Sequence, residues 1–216
     1  MRSPLLVVAL TAAGVHRAVR PRCPAVQCGA TADYLLRLGC TEEQASKAEG
    51  RLLPSIRDSL DDATVEATSS ALQSRLALSD EELRKVLLTL PSVLGLSFET
   101  NVSPSLDALQ SRLALSDAQL KRVVLLLPTV LGYSFESNIS PKLDYLQSAL
   151  ALPLDALRDR VVRFPPLLGY SHTQRFQPRI DACHAAGVDA TIVLSRITMT
   201  DARFYAALDG SGRGAE

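Results

Sequence analysis

Apolar and polar positions recur along this chain with a fixed beat. Leu83, Val86, Leu87 and Leu90 follow the i, i+3, i+4, i+7 spacing of one helix face. Leu120, Val123, Val124 and Leu127 repeat that set 37 residues later. Each apolar run opens on a polar start signal. Thr41-Glu-Glu-Gln44, Ser79-Asp-Glu-Glu82 and Ser116-Asp-Ala-Gln119 all read as capping boxes. The runs end at Pro54, Pro91, Pro128 and Pro165, again 37 residues apart. A proline ring disfavours helical geometry in the residue before it, so a helix is expected to stop near Leu90 and its equivalents. Pro91 suits the first position of a new short turn, with Gly95 expected as its left-handed cap.

A second helix is expected from Ser103-Pro104, an N-cap followed by proline at the first helical position. It carries Leu106, Leu109 and Leu113, and one period later Leu143, Leu146 and Leu150. Leu88, Leu125 and Val162 add a second apolar column to the first helix, ~140° from Leu83 at ~100° per residue. A helix apolar on two sides is sandwiched between others, and one such unit cannot bury its own faces, so units must stack. The pattern predicts an all-α, right-handed-type helical-repeat solenoid (a superhelix) of about five 37-residue units. The period weakens at both ends. One extra residue separates Thr41 from Pro54, and no proline follows Asp189 at the expected place. Ile192 to Leu208 read as capping helices, and residues 209–216 as a disordered tail.

Composition changes the picture chiefly through charge. The whole chain balances 23 basic against 23 acidic residues. The first acid is Asp33, and before it stand Arg2, Arg17, Arg20 and Arg22. Residues 1–30 therefore read as an organellar targeting leader, whose apolar run Leu5 to Val15 is too short to span a bilayer. The repeat domain, residues 31–208, and the tail then share 19 basic and 23 acidic residues, a net of −4. Bulk attraction to phosphate is excluded, so any nucleic-acid contact must come from how the charges are arranged. Cys40 and Cys183 stand alone without histidines at ligand spacing, and Cys183 reads as a packed core residue. No nucleophile–base or paired-carboxylate arrangement appears, so no enzyme activity, metal or cofactor is expected.

Along the repeats the charges fall into columns. Lys47, Arg84, Lys121 and Arg158 share one register, and Lys85 and Arg122 the next, which ends at Asp159. On the second helix Arg75 and Arg112 share a register, as do Lys142 and Arg179. Asp107, Asp144 and Asp181 form an acidic column that the helical wheel sets on the opposite flank of the buried stripe. The ten cations are the candidate nucleic-acid-binding residues, one basic edge able to follow a phosphate backbone. The same columns also fit long side chains snorkelling over core edges. Tyr133 and Tyr170, and Phe98, Phe135 and His172, recur in register as buried wedges or as platforms for bases.

The text Leu127-Pro-Thr-Val-Leu-Gly-Tyr-Ser-Phe-Glu-Ser-Asn-Ile-Ser-Pro-Lys-Leu-Asp-Tyr-Leu146 resembles the repeat of the mitochondrial transcription termination factor (mTERF) family. The resemblance extends over Asp33 to Leu208, and Met199-Thr-Asp-Ala-Arg-Phe204 resembles that family's C-terminal cap. It implies a helical superhelix acting on double-stranded DNA or structured RNA in a mitochondrion or chloroplast. The implied roles are transcription termination or regulation, ribosomal RNA handling and intron splicing. The expectation is a monomer away from membranes. The alternative is a protein-interaction solenoid that recruits an RNA-modifying or ribosome-assembly partner.

Overall fold

A computed structural model of the chain describes residues 29–212, so the leader expected at 1–30 lies almost wholly outside the described residues. All regular structure among them is helical. After α1 (Ala30–Arg37), the first unit comprises α2 (Glu42–Glu49), α3 (Pro54–Ser59) and α4 (Asp62–Leu76). The second runs through α5 (Asp80–Thr89), a 3-10 turn Pro91–Gly95, a π turn Phe98–Val102 and α6 (Ser103–Leu113). The third repeats this with α7 (Asp117–Leu126), Pro128–Gly132, Phe135–Ile139 and α8 (Ser140–Ala149). The fourth has α9 (Leu154–Arg163), Pro165–Gly169, His172–Phe176 and α10 (Gln177–Ala185). A shortened fifth closes the array with α11 (Ile192–Ser195) and α12 (Asp201–Gly212). α12 occupies residues 209–212, where a disordered tail was expected, because buried Leu208 anchors its last turns.

The first helices α2, α5, α7 and α9 pack side by side in one row, and the 3-10 turns stack on one another behind it. Each second helix packs on the π turn of the following unit. Leu83, Val86, Leu87, Leu120, Val123 and Val124 are all fully enclosed between these layers. Burial of each such side chain stabilises the stack by roughly 1.5–3 kcal/mol. The solenoid core is therefore one continuous apolar column.

Local chemistry explains the breaks. Leu90, Leu127 and Phe164 sit at φ −131, −138 and −137, the extended geometry imposed by the proline that follows. The three capping boxes all form as expected, each hydroxyl accepting from the amide three residues on while the Gln or Glu answers back. Ser103, expected as an N-cap, is already helical. The π turn before it runs straight into α6, and Ser97, Ser134 and Ser171 cap that turn instead, accepting from Thr100, Ser137 and Gln174 amides. A proline inside a helix collides with the carbonyl four residues back; the wider i→i+5 pairing here makes room for Pro104.

Gly95 is not left-handed either. Its small size serves a close approach instead, since a Cβ there would fall 2.5 Å from Ile56 Cγ2. The left-handed positions lie after the second helices, at Gly39, Ala77, Ala114, Ala151 and Gly187. In each case the next amide reaches back five residues, as in Leu78 N–H to Gln73 O and Leu115 N–H to Gln110 O. This is the Schellman closure, which normally takes glycine at the left-handed site.

Three of those five sites hold alanine, at φ 48, 49 and 47 for Ala77, Ala114 and Ala151. A Cβ in that region carries a steric penalty that glycine avoids. Ala77→Gly, Ala114→Gly and Ala151→Gly are each expected to stabilise the chain by about 0.5–1 kcal/mol in urea unfolding. Gly187→Ala, whose Cβ would meet nothing within 4 Å, should cost about 1 kcal/mol through the backbone alone.

Candidate nucleic-acid interface

The helix caps reset the basic columns. Counted from N-caps Thr41, Ser79, Ser116 and Pro153, the sixth residue is Lys47, Lys85, Arg122 and Asp159. Lys47 thus belongs with Lys85 and Arg122, not with Arg84 as proline spacing implied. The extra residue between Thr41 and Pro54 displaces the two rulers by one. Lys47, Lys85 and Arg122 are all exposed on the solvent side of the first-helix row.

The column Arg84, Lys121 and Arg158 points toward the preceding unit. Lys121 Nζ donates to the Ala77 carbonyl at 2.7 Å and pairs with Glu82 at 2.7 Å. That ammonium, then the Ser79 amide, holds the Glu82 carboxyl below its usual range. Arg84 Nη1 lies 3.5 Å from the Leu38 carbonyl, and Arg158 lies 3.7 Å from Asp159. Arg84 and Lys121 thus reach back along the array, whereas Arg158 pairs within its own helix.

The second-helix columns do not form opposite edges. Arg75 reaches forward one unit to Asp107 at 2.6 Å and Gln110 at 2.7 Å. Arg112 repeats this on Asp144 at 2.7 Å and Gln147 at 2.8 Å. Stacking brings the basic flank of one unit against the acidic flank of the next, so the two columns cancel. Lys142 and Arg179 lie deeper still, 5% and 1% exposed, and form no part of an exposed basic edge. A wheel drawn for one helix could not show this; Gln73, Gln110 and Gln147, also 37 apart, were the overlooked signal.

Cations that sequence reasoning missed complete the exposed set. Arg51 stands four residues after Lys47, and its Nη1 caps the Leu88 carbonyl of the next unit at 2.9 Å. Arg122 Nε does the same on Val162 at 3.3 Å. Arg160 and Arg163 are exposed at the end of the row, and their side chains make no hydrogen bond or ion pair among the described residues. Arg160 takes the register of Val86 and Val123, which are fully buried. After α9 the equivalent helix α11 is only four residues long, so the position faces water. The break in that valine register was readable in the sequence.

The row is therefore banded. Glu42, Glu43, Asp80, Glu81, Asp117 and Asp155 occupy the first turns, and Lys47, Arg51, Lys85, Arg122, Arg160 and Arg163 the later ones. The arrangement complements each helix dipole. Among the described residues only Lys85 in the basic band has a carboxylate partner, Glu81 at 2.9 Å. Glu99 and Glu136 on the π turns and Asp181 on α10 are also exposed. Cys40 and Cys183 are free and buried, and no group of His, Cys, Asp or Glu among the described residues could hold a metal. None of the helices there is long and apolar enough to cross a membrane.

The far end of the array is closed by Asp201 of α12, which pairs with Arg179 at 2.7 Å and Arg175 at 3.3 Å. The hydrogen bond from Arg179 pulls the Asp201 carboxyl below its usual range. A depressed carboxylate contributes stability above its unfolded pKa of about 3.9 and loses it as pH falls through the lower folded value. Asp201→Asn is expected to lower the melting temperature at pH 7. The gap to the native chain should close as pH drops below about 4.

No curated protein matches this chain. The family model described as mTERF matches residues 27–205, which span all four units and the start of α12. The proline-broken units, the stacked row and the start of the closing helix lie within that match, and the chain belongs to the mTERF family.

Proposed function

We propose that this protein is a nucleic-acid-binding regulator of gene expression in a mitochondrion or chloroplast, acting without a catalytic step. Double-stranded DNA or structured RNA would lie across the C-terminal halves of α2, α5, α7 and α9. Membership of the mTERF family supports the ligand class. The observation that carries the site is the division of labour among the cations. Arg75, Arg112, Lys121, Lys142 and Arg179 are engaged between units, whereas Lys47, Lys85, Arg160 and Arg163 keep exposed heads on one row, and Arg122 stays exposed there while its Nε donates to the Val162 carbonyl. A chain this close to neutral binds phosphate only where such heads cluster. Transcription termination or regulation is the role this geometry fits, since a row of cations grips a backbone and reads no base edges.

Binding of the full chain to duplex DNA and to structured RNA, titrated against salt, tests the reading. Affinity should fall linearly with salt on logarithmic axes. Changing Lys85, Arg122 and Arg163 to Ala should lower the slope by roughly one per residue. Arg112→Ala should lower the melting temperature and leave the slope intact. A slope insensitive to the triple change would sink the proposal. The second reading, a protein-docking solenoid, draws on Leu126 and Leu154, 50% and 36% exposed in the same row. A partner that stays bound after nuclease treatment and is lost in Leu126→Ser would favour it.

A further inference from the structure

Positions 105, 142 and 179 share one register on the second helices and hold Ser105, Lys142 and Arg179. The two cations there are both buried, yet they keep different company. Arg179 has the Asp201 carboxylate as well as the Arg196 and Met199 carbonyls. Lys142 Nζ donates to Asn138 Oδ1 at 3.2 Å and to the Leu168 carbonyl, and lies 5.9 Å from the centre of the Tyr133 ring. It forms no ion pair with any described carboxylate. An ammonium carries three N–H donors, and a buried one without an anion is unfavourable. Burial alone pushes its pKa down.

Lys142 is nevertheless one of the residues that line a cleft of about 350 Å³ between the third and fourth units, together with Tyr133, Asn138, Tyr170, Ser171 and His172. His172 Nε2 is a buried polar atom with no hydrogen-bond partner. One unit earlier the matching cleft, about 410 Å³, has Leu96 where this one has Tyr133, Ser105 for Lys142 and Phe135 for His172. Charge and polar rings thus come together in the later cleft alone of the two. Flat π faces beside a fixed cation suit a base carrying a phosphate.

We propose that the cleft between the third and fourth units binds a nucleotide, its phosphate set against Lys142 and its base against the tyrosine and histidine rings. This site is separate from the row of first helices. The shared chemistry, a phosphomonoester next to a base, is found both in free nucleotides and at the 5′ end of a nucleic acid.

Calorimetric titration of the full chain with each of the four 5′-nucleoside monophosphates tests the proposal, beside the matching nucleosides and inorganic phosphate. At least one monophosphate should bind more tightly than its nucleoside and than phosphate. Lys142→Met should weaken it roughly tenfold to a hundredfold, as loss of a charge-assisted hydrogen bond implies. Ser171→Asp keeps an N-cap acceptor while setting a carboxylate at the cleft mouth, so it should weaken binding with the fold intact even if Lys142→Met unfolds. The triple change in the first-helix row should leave monophosphate binding untouched, which separates failure here from failure of the duplex interface. A preference for 5′-phosphorylated over 5′-hydroxyl oligonucleotides, above that for free monophosphates, would assign the ligand to a strand end; the reverse would assign it to a free nucleotide. No monophosphate binding, equal binding of nucleoside or of phosphate alone, or affinity unchanged in Ser171→Asp would overturn the assignment.

Discussion

A proline has no N–H to give, and in this chain that deficit falls at the end of every first helix. The helix must stop there, and the carbonyls of its last turn are left without helical partners. Neighbouring units supply the missing donors: Arg51 reaches Leu88, and Arg122 reaches Val162. The break that shortens a helix therefore also ties one unit to the next. The deficit returns every 37 residues, and at two of these breaks, Leu88 and Val162, an arginine of the preceding unit answers it.

Long basic side chains consequently serve two ends. Their stems cover the edges of the leucine core, and their heads either answer a carbonyl, meet an acid of the next unit, or remain in water. Arg75 and Arg112 take the second course, Lys121 the first and second together. Only what is left over can act on something outside the protein. A net charge read from composition says little about such a molecule, because many of its basic side chains are committed to its own stacking.

The sequence made much of the fold legible. Helix starts at Thr41, Ser79 and Ser116, stops before the prolines, and both leucine faces follow from rules that act within a few residues. The left-handed alanines escaped notice because alanine is the commonest helix former and signals no turn. The π turns escaped because Ser-Pro reads as a helix start whether or not a helix is already running. The site was legible in part. Lys47, Lys85 and Arg122 were named, though Lys47 was aligned with the wrong column. Pairing such as Arg112 with Asp144 spans 32 residues, so it appears only when one unit is laid on the next.

Arg160 has a bearing on how long the array can be. In the two units before it that register holds a fully buried valine, whereas here it holds an exposed guanidinium. A further complete unit grafted after α10 would bury that charge with no acid to meet it, an unfavourable exchange of several kcal/mol. Growth of the solenoid by duplication at this end is thereby blocked by one side chain, and the number of units is written into the chain as a terminus of the stack.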